Sequence, residues 1–219
     1  LLAITIFFFK DWIGLLKGGY EQVVNKKKST EGKIFWYIVA VTIPTGIVSL
    51  LLDKFSGYIC DKFGIETIMI AIALIVLGIV LYVVDKKAPS NVSYENMTFK
   101  QSFLIGLSQC LAFIPGVSRS GVTMTAGRIM GVKREATAKY SFMLSAPIVL
   151  AATVFKLGDF IDFFAVADLT GIIAFILGVL FSFAVGILVI KFLLEYLKKG
   201  NFKIFAIYRI IIGLIVIAI

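Results

Sequence analysis

The chain has 219 residues, of which 60% are hydrophobic and 16% charged, and its mean hydropathy is +1.01. Since a soluble domain is only about half apolar, this composition excludes a soluble globular protein and indicates an integral membrane protein. The net charge of +9 comes from basic residues that gather in short loops between apolar runs. This pattern indicates contact with anionic lipid headgroups and argues against nucleic-acid binding.

Apolar runs of spanning length predict about six transmembrane helices. They cover residues 1–16, 34–52, 67–84, 140–156, 170–190 and 204–219. The first run starts at Leu1 with no initiator methionine and no charged flank, so we expect the chain to lack its natural N-terminus. The sequence therefore predicts an all-α polytopic membrane protein, with a single transmembrane domain over residues 1–219.

The charges of the connecting segments predict their side of the membrane. Basic segments, expected on the cytoplasmic side, cover residues 17–33, 86–100, 133–139 and 191–203. Balanced or acidic segments, expected outside, cover residues 53–66 and 158–168. This alternation closes only if residues 103–131 enter and leave the membrane on the same side, which predicts a re-entrant pair of half-helices there.

The centre of residues 103–131 has the sequence PGVSRSG, from Pro115 to Gly121. Pro115 has no N–H group and the two glycines relax the backbone, so we predict a break between two half-helices instead of one continuous span. Irregular backbone at membrane depth is tolerated only where it is buried in protein or lines a wet cavity. The second half-helix is expected to start at residues 118–121 and to direct free N–H groups into that cavity.

The same segment has the chemistry of a site for phosphate or another tetrahedral oxyanion. A helix N-terminus favours an anion, and the Arg119 guanidinium with the hydroxyls of Ser118 and Ser120 adds further donors. An arginine at the centre of a span costs roughly 2.5–3.5 kcal/mol, which argues that it has a role. The alternative is a helix-packing kink, with Arg119 reaching out to the membrane interface.

A faint internal repeat links the two ends of the sequence. Residues 2–7, followed by Asp11, resemble residues 150–155, followed by Asp159 at the same spacing. The loop charges orient the first run inward and the second outward, as in inverted repeats with a site near the bilayer midplane. We therefore expect residues 1–101 to be the remainder of an incomplete first repeat and residues 102–219 to be the second. Chance similarity between two apolar helices is the alternative.

An oxyanion site alone does not supply the proton transfer that hydrolysis needs. The chain has no histidine, and its acidic residues fall in or beside predicted loops. Ser118 or Ser120 would act as a nucleophile only with a base beside it. No spacing of ligands predicts a metal site, and Cys60 and Cys110 are predicted to be free thiols.

Several segments together resemble one family. They are PGVSRSG at residues 115–121, MTFKQSF at 97–103, QCLA at 109–112 and FAIYR at 205–209. Over its whole length the chain resembles bacterial undecaprenyl-diphosphate phosphatases, the bacitracin-resistance protein family. The resemblance implies a multi-pass enzyme of the bacterial plasma membrane that removes the terminal phosphate from a C55 isoprenyl diphosphate, the lipid carrier of cell-wall synthesis. Its partners would be this polyprenyl diphosphate and membrane lipids, not nucleic acid.

The resemblance also implies roles for individual residues. The expected catalytic residues are Arg119, which would clamp the diphosphate, and Ser118 and Ser120, which would hydrogen-bond its oxygens. The backbone is expected to approach the diphosphate at Gly116, Val117 and Gly121, and candidate cavity-lining residues are Gln109, Thr123 and Ser145.

In that family a second re-entrant loop near the N-terminus completes the site, with several glutamates and a Ser-Ser-Thr-Gly-His segment. The glutamates are expected to engage a divalent cation, Mg²⁺ or Ca²⁺. This sequence has no match to that loop, so the resemblance implies no cofactor and no metal ligand within these 219 residues. Residues 1–219 alone are therefore expected to be inactive, and a homodimer is the candidate assembly.

Two other functions fit the same pattern. An inverted-repeat transporter or flippase for lipid phosphates also presents half-helix N-termini to an anionic substrate, and alternating access would then replace hydrolysis. A scaffold protein with a structural kink is the other. Phosphate release from a C55 diphosphate separates the enzyme from the transporter.

Overall fold

The computed structural model describes residues 1–63 and 65–218, and for residues 49–63 and 113 it describes the backbone alone. The described chain is helical throughout, without a β-strand. Its helices are α1 (Leu2–Phe7), α2 (Phe9–Val24), α3 (Thr30–Phe63), α4 (Glu66–Lys87), α5 (Phe99–Ser108), α6 (Arg119–Ile129), α7 (Arg134–Phe155), α8 (Leu157–Val166), α9 (Leu169–Lys199) and α10 (Lys203–Ala218), with a 3₁₀ turn at Gln109–Phe113. The prediction of an all-α protein is confirmed.

Four helices are long and apolar enough, within the described residues, to cross a membrane. They are the Thr30–Val48 part of α3, and α4, α7 and α9. Each overlaps a predicted apolar run, namely 34–52, 67–84, 140–156 and 170–190. The run 204–219 corresponds to α10, whose 16 residues give a helix about 24 Å long, shorter than the ~30 Å hydrocarbon core.

Two predicted boundaries are wrong. The run 1–16 is not one span, because the helix breaks at Phe8 and resumes as α2, which ends at Val24. The segment 158–168, predicted to be a loop, contains α8, whose phenylalanines pack on one another and on Phe175 of α9. The other predicted external loop, 53–66, is helical as far as Phe63, and Cys60 lies among the residues whose side chains are not described.

α4 and α10 pack against each other through glycines as an antiparallel pair. A Cβ atom built at Gly78 of α4 would lie 3.1 Å from the Ala206 carbonyl oxygen, and one built at Gly213 of α10 would lie 2.9 Å from that of Ala71. The two contacts are equivalent, because in each a glycine of one helix faces the carbonyl oxygen of an alanine in the other helix. An antiparallel pair with this exchange has an approximate local twofold axis perpendicular to its helices.

The helices around this pair repeat in the same way. α1 breaks at Phe8 (φ −99°, ψ 22°) before α2, and α7 breaks at Lys156 (φ −93°, ψ 8°) before α8. The two similar sequence segments therefore end in the same local geometry. The packing around the two breaks differs, because α1 packs on α9 whereas α7 packs on both α9 and α3. The inverted repeat, with its boundary at residues 101 and 102, stays a prediction.

The close approach of α4 and α10 makes a prediction about Gly213. Its replacement by alanine puts a methyl group 2.9 Å from the Ala71 carbonyl oxygen, and overpacking of this kind lowers the free energy of unfolding by about 1–3 kcal/mol. The matched control is Gly178→Ala on α9, where nothing lies within 4 Å of the added Cβ. Unfolding in mixed micelles should separate the two variants, and equal unfolding free energies would contradict the packing described here.

Candidate anion-binding site

α5, the 3₁₀ turn, the loop at residues 114–118 and α6 form a helical hairpin, called the hairpin below. Its two ends meet, because the Val92 N–H donates to the Gly131 carbonyl oxygen (3.1 Å) and the Lys133 N–H donates to that of Val92 (2.9 Å). α5 has 10 residues and α6 has 11, so each is about 15 Å long, half of the ~30 Å bilayer core. The predicted break is confirmed, and entry and exit on one side of the membrane stays a prediction.

The start of the hairpin is fixed by a capping box. The Thr98 hydroxyl accepts the Gln101 N–H (3.3 Å), and Gln101 Oε1 accepts the Thr98 N–H (2.9 Å), so α5 must begin at this point. The same glutamine donates from Nε2 to the Met130 carbonyl oxygen (3.1 Å). The cap of α5 therefore also joins the first half-helix to the end of the second.

The loop between the half-helices requires glycine at position 116. Gly116 has φ +82°, a conformation that residues with a Cβ rarely adopt. A Cβ atom there would also lie 2.5 Å from Cα of Ile70 and 2.6 Å from its carbonyl oxygen. The loop thus lies directly on the backbone of α4. This packing requires a residue without a side chain at position 116.

Gly116→Ala is expected to lower the free energy of unfolding by about 3 kcal/mol, since it adds backbone strain to a steric clash. Gly131→Ala is the matched control: Gly131 also has positive φ, +76°, but the nearest atom to its Cβ would be 3.4 Å away. The control is expected to lose about 1 kcal/mol from strain alone. Equal losses in the two variants, measured by unfolding in mixed micelles, would show that contact with Ile70 is unimportant.

The N-terminus of α6 presents free donors. Ser118 is the N-cap residue, and its Oγ accepts the Gly121 N–H at 3.2 Å, while the Val122 N–H donates to the Ser118 carbonyl oxygen. The N–H groups of Arg119 and Ser120, in the first turn, therefore remain without a helical partner. Ser120 Oγ lies 3.3 Å from Ser118 Oγ. Two backbone donors and two hydroxyls thus meet at the positive end of a helix dipole.

Arg119 is the first residue of α6 and is half-buried. Its guanidinium forms no hydrogen bond or ion pair with any residue that the structure describes. A guanidinium has five N–H donors in a planar fork that matches a phosphate or carboxylate. The residue that the sequence singled out is therefore next to the free N–H groups and available to bind an anion.

A second arginine, to which the sequence analysis gave no role, also reaches the loop. Arg209 lies on α10 and is only 8% exposed, and its Nη2 is 3.4 Å from the Gly116 carbonyl oxygen. Its Nη1 would be 2.9 Å from a Cβ atom at Gly121. The signal in the sequence was an arginine inside an apolar run, but only the packing of α10 on α4 brings it here.

The three candidate cavity-lining residues lie in two places. Thr123, 1% exposed, has Oγ1 2.6 Å from Ser141 Oγ on α7, and the Ser145 hydroxyl donates to the Ser141 carbonyl oxygen one turn later. Gln109 is 2% exposed and donates from Nε2 to Thr45 Oγ1 on α3 (3.2 Å). Both groups are buried polar contacts beside the hairpin, and a role in lining a cavity stays a prediction.

The other end of the hairpin is held by a buried carboxylate. Asp85 of α4 accepts from Nε of Arg128 (2.8 Å), from Nε of Arg134 (2.8 Å) and from the Phe202 N–H (3.0 Å). Arg128 is 0% exposed and also donates to the Val132 carbonyl oxygen. The charge of Arg128 is therefore neutralised inside the protein.

No group of three or more His, Cys, Asp or Glu side chains that could hold a metal ion occurs in the part of the chain that the structure describes. Cys110 is a free thiol, as predicted. The divalent cation that the family resemblance implies stays a prediction, because the glutamates expected to engage it have no match in this sequence.

Together these features describe an α-helical membrane protein in which the N-terminus of α6 offers free hydrogen-bond donors. The sequence matches the family described as bacitracin resistance protein BacA over residues 1–215. The chain belongs to this family. With its four candidate spans, it is a multi-pass protein of the bacterial plasma membrane.

Curated relatives are similar over nearly the whole chain. An undecaprenyl-diphosphatase of Pelotomaculum thermopropionicum is 42% identical over 217 residues, covering 99% of this chain and 77% of the relative. Proteins of the same name from Caldicellulosiruptor bescii and Elusimicrobium minutum are 40% and 42% identical, covering 100% and 99% of this chain and 78% of each relative. The chain thus spans about three quarters of the length of these relatives.

Proposed function

We propose that the protein is an undecaprenyl-diphosphate phosphatase, which hydrolyses undecaprenyl diphosphate to undecaprenyl phosphate and inorganic phosphate. The reaction recycles the lipid carrier of cell-wall synthesis. The observation that carries the proposal is the N-terminus of α6, where free N–H groups and two hydroxyls lie beside Arg119, whose guanidinium has no partner among the described residues. The names of the relatives support the choice of substrate.

The groups of this site suit the charge that moves during the reaction. An oxygen nucleophile attacks the terminal phosphorus, and the bond from that phosphorus to the bridging oxygen breaks, so that undecaprenyl phosphate leaves with the bridging oxygen. Negative charge spreads over the equatorial oxygens of the phosphoryl group in the transition state. Arg119 and the N–H groups of Arg119 and Ser120 stabilise that charge, because donors fixed in a water-poor site act strongly on it.

The two serines fit binding better than attack. Ser118 Oγ already accepts the Gly121 N–H, and neither serine hydrogen-bonds a carboxylate within the described residues. Without a base, a serine hydroxyl at neutral pH is a weak nucleophile. We therefore assign Ser118 and Ser120 to hydrogen-bonding phosphate oxygens, and Gly116, Val117 and Gly121 to the backbone that approaches the diphosphate.

The hairpin gives the substrate its position in the membrane. If the hairpin is re-entrant, half-helices about 15 Å long bring the start of α6 near the middle of a ~30 Å hydrocarbon core. A diphosphate there would keep its prenyl tail among the spanning helices. Irregular backbone at this depth is tolerated where it is buried in protein, and the loop at Gly116 packs against α4.

Proton transfer and metal binding are not supplied by the described residues. These 219 residues contain no histidine, and the expectation that they alone lack turnover stays a prediction. The divalent cation and the homodimer likewise remain predictions.

The test is phosphate release from undecaprenyl diphosphate by the purified full-length protein in detergent or proteoliposomes. We expect stoichiometric inorganic phosphate and undecaprenyl phosphate. Movement of an intact lipid diphosphate between leaflets without phosphate release would favour the transporter, whose inverted repeats present the same kind of site. Turnover by residues 1–219 alone would show that the proton-transfer residues are among them.

A further inference from the structure

We propose that Arg209 is a second anion-binding residue of this site and binds the lipid diphosphate together with Arg119. The identity of the lipid substrate rests on the proposed function, whereas the affinity of Arg209 for a diphosphate group does not. The inference starts from the position of the guanidinium, between the Gly116 carbonyl oxygen and Gly121. It therefore lies against the turn that leads into α6.

The hydrogen bonding of Arg209 is incomplete. Nε is buried and has no hydrogen-bond partner among the described residues, and the bond from Nη2 to the Gly116 carbonyl oxygen is long, at 3.4 Å. No carboxylate pairs with it in that part of the chain. A buried charge without a partner is strongly unfavourable, so an anion in contact with this guanidinium would remove a large penalty.

Arg128 shows how this chain treats a buried arginine with a structural role. It donates from Nε to Asp85 at 2.8 Å, from Nη1 to the Val132 carbonyl oxygen at 2.6 Å, and from Nη2 to that of Ala88 at 2.9 Å. Its charge and its donors are satisfied within the protein. Arg209 is 8% exposed, and among the described residues it has no carboxylate partner and only the long bond to the Gly116 carbonyl oxygen, so its charge and most of its donors are available to a ligand.

The twofold relation between α4 and α10 indicates that packing does not require arginine here. Cβ of Arg209 would lie 3.4 Å from a Cβ at Gly78, and Cβ of Leu74 would lie 3.2 Å from a Cβ at Gly213. Leu74 is thus the counterpart of Arg209 in the other half. A leucine serves at the equivalent position, so the arginine adds charge to one half only, the half that contains the hairpin.

A diphosphate also suits two guanidiniums better than one. Arg119 enters from the first turn of α6, and Arg209 enters from α10 beside Gly121, in the same first turn. Each phosphoryl group can then pair with a guanidinium, with the N–H groups of Arg119 and Ser120 between them. Arginine forks bind phosphate through charge-assisted hydrogen bonds.

The experiment compares Arg209→Leu with the wild-type full-length protein, using inorganic pyrophosphate as the probe. We measure pyrophosphate binding by calorimetry and its inhibition constant in the hydrolysis assay, together with the melting temperature. Loss of charge-assisted hydrogen bonds is expected to weaken pyrophosphate binding by about 10- to 100-fold. Lys203→Met, which removes an exposed charge from the same helix, is expected to leave the affinity unchanged.

The outcomes are distinguishable. If Arg209→Leu folds and binds pyrophosphate as tightly as the wild type, or if the wild type does not bind it, the inference is overturned, and Arg209 only closes the turn at Gly116. If Arg209→Leu does not fold, the test uses Arg209→Lys, which keeps the charge but loses the planar guanidinium. We expect this variant to bind pyrophosphate about tenfold more weakly than the wild type. Unchanged binding overturns the inference. If affinity falls while the wild type releases no phosphate, the proposed function fails and the anion site stands.

Discussion

Arg119→Ala is expected to lower kcat/KM for undecaprenyl diphosphate by about 100- to 1,000-fold, the usual effect of removing one fixed donor from a site that stabilises developing negative charge. The effect should fall mainly on kcat, since the charge on the transferred group is redistributed in the transition state. Phosphate release by the full-length protein, measured over a range of substrate concentrations, checks this.

Two variants make the Arg119 experiment specific. Lys133→Ala removes an exposed cation close to the end of the hairpin and is expected to keep full turnover. Arg119→Lys keeps the charge but not the fork, so it should recover only part of the activity. An Arg119→Ala protein that folds and retains near-wild-type turnover would remove the basis for the proposed function.

The second large effect is expected at Asp85. Asp85→Asn leaves the fully buried Arg128 without its counter-charge, and breaking one side of a buried ion pair lowers the free energy of unfolding by about 3–5 kcal/mol. The amide nitrogen that replaces one carboxylate oxygen cannot accept, so either the arginines or the Phe202 N–H also loses an acceptor. The measurement is unfolding in mixed micelles, with helix content read by circular dichroism.

The control for Asp85 is another aspartate of the same chain. Asp159 pairs with Lys156 at 3.0 Å, but the two side chains are 73% and 79% exposed. Exposed pairs contribute about 0–1 kcal/mol, so Asp159→Asn should unfold like the wild type. A similar loss for both variants would mean that burial of the Asp85 cluster does not contribute to stability.

The sequence was sufficient for features that depend on local chemistry. The break in the hairpin follows from Pro115 and Gly116, since one lacks an N–H group and the other adopts positive φ. The start of α6 follows from Ser118, a strong N-cap residue. Four of the six apolar runs predicted to span the membrane coincide with candidate spans, because a membrane leaves backbone polar groups few partners outside a helix.

The features that were missed depend on contacts between distant parts of the chain. Arg209 reaches the loop only because Gly78 and Gly213 let α10 approach α4, and no local pattern encodes that approach. The buried pairing of Arg128 could not be predicted locally, because its partner Asp85 is 43 residues earlier. At residues 158–168 the aspartates suggested a loop, whereas clustering of phenylalanines favours the helix.

Asp85 has a consequence for how mutants of this protein will be interpreted. Its carboxylate bonds one element that leads to Arg119, through Arg128 on α6, and another that leads to Arg209, through the N–H of Phe202 just before α10. One carboxylate thereby helps to position both α6, which carries Arg119, and α10, which carries Arg209. A genetic screen for lost phosphatase function should therefore recover position 85 beside the true ligand-binding positions, and only a joint reading of protein abundance and turnover will tell the two classes apart.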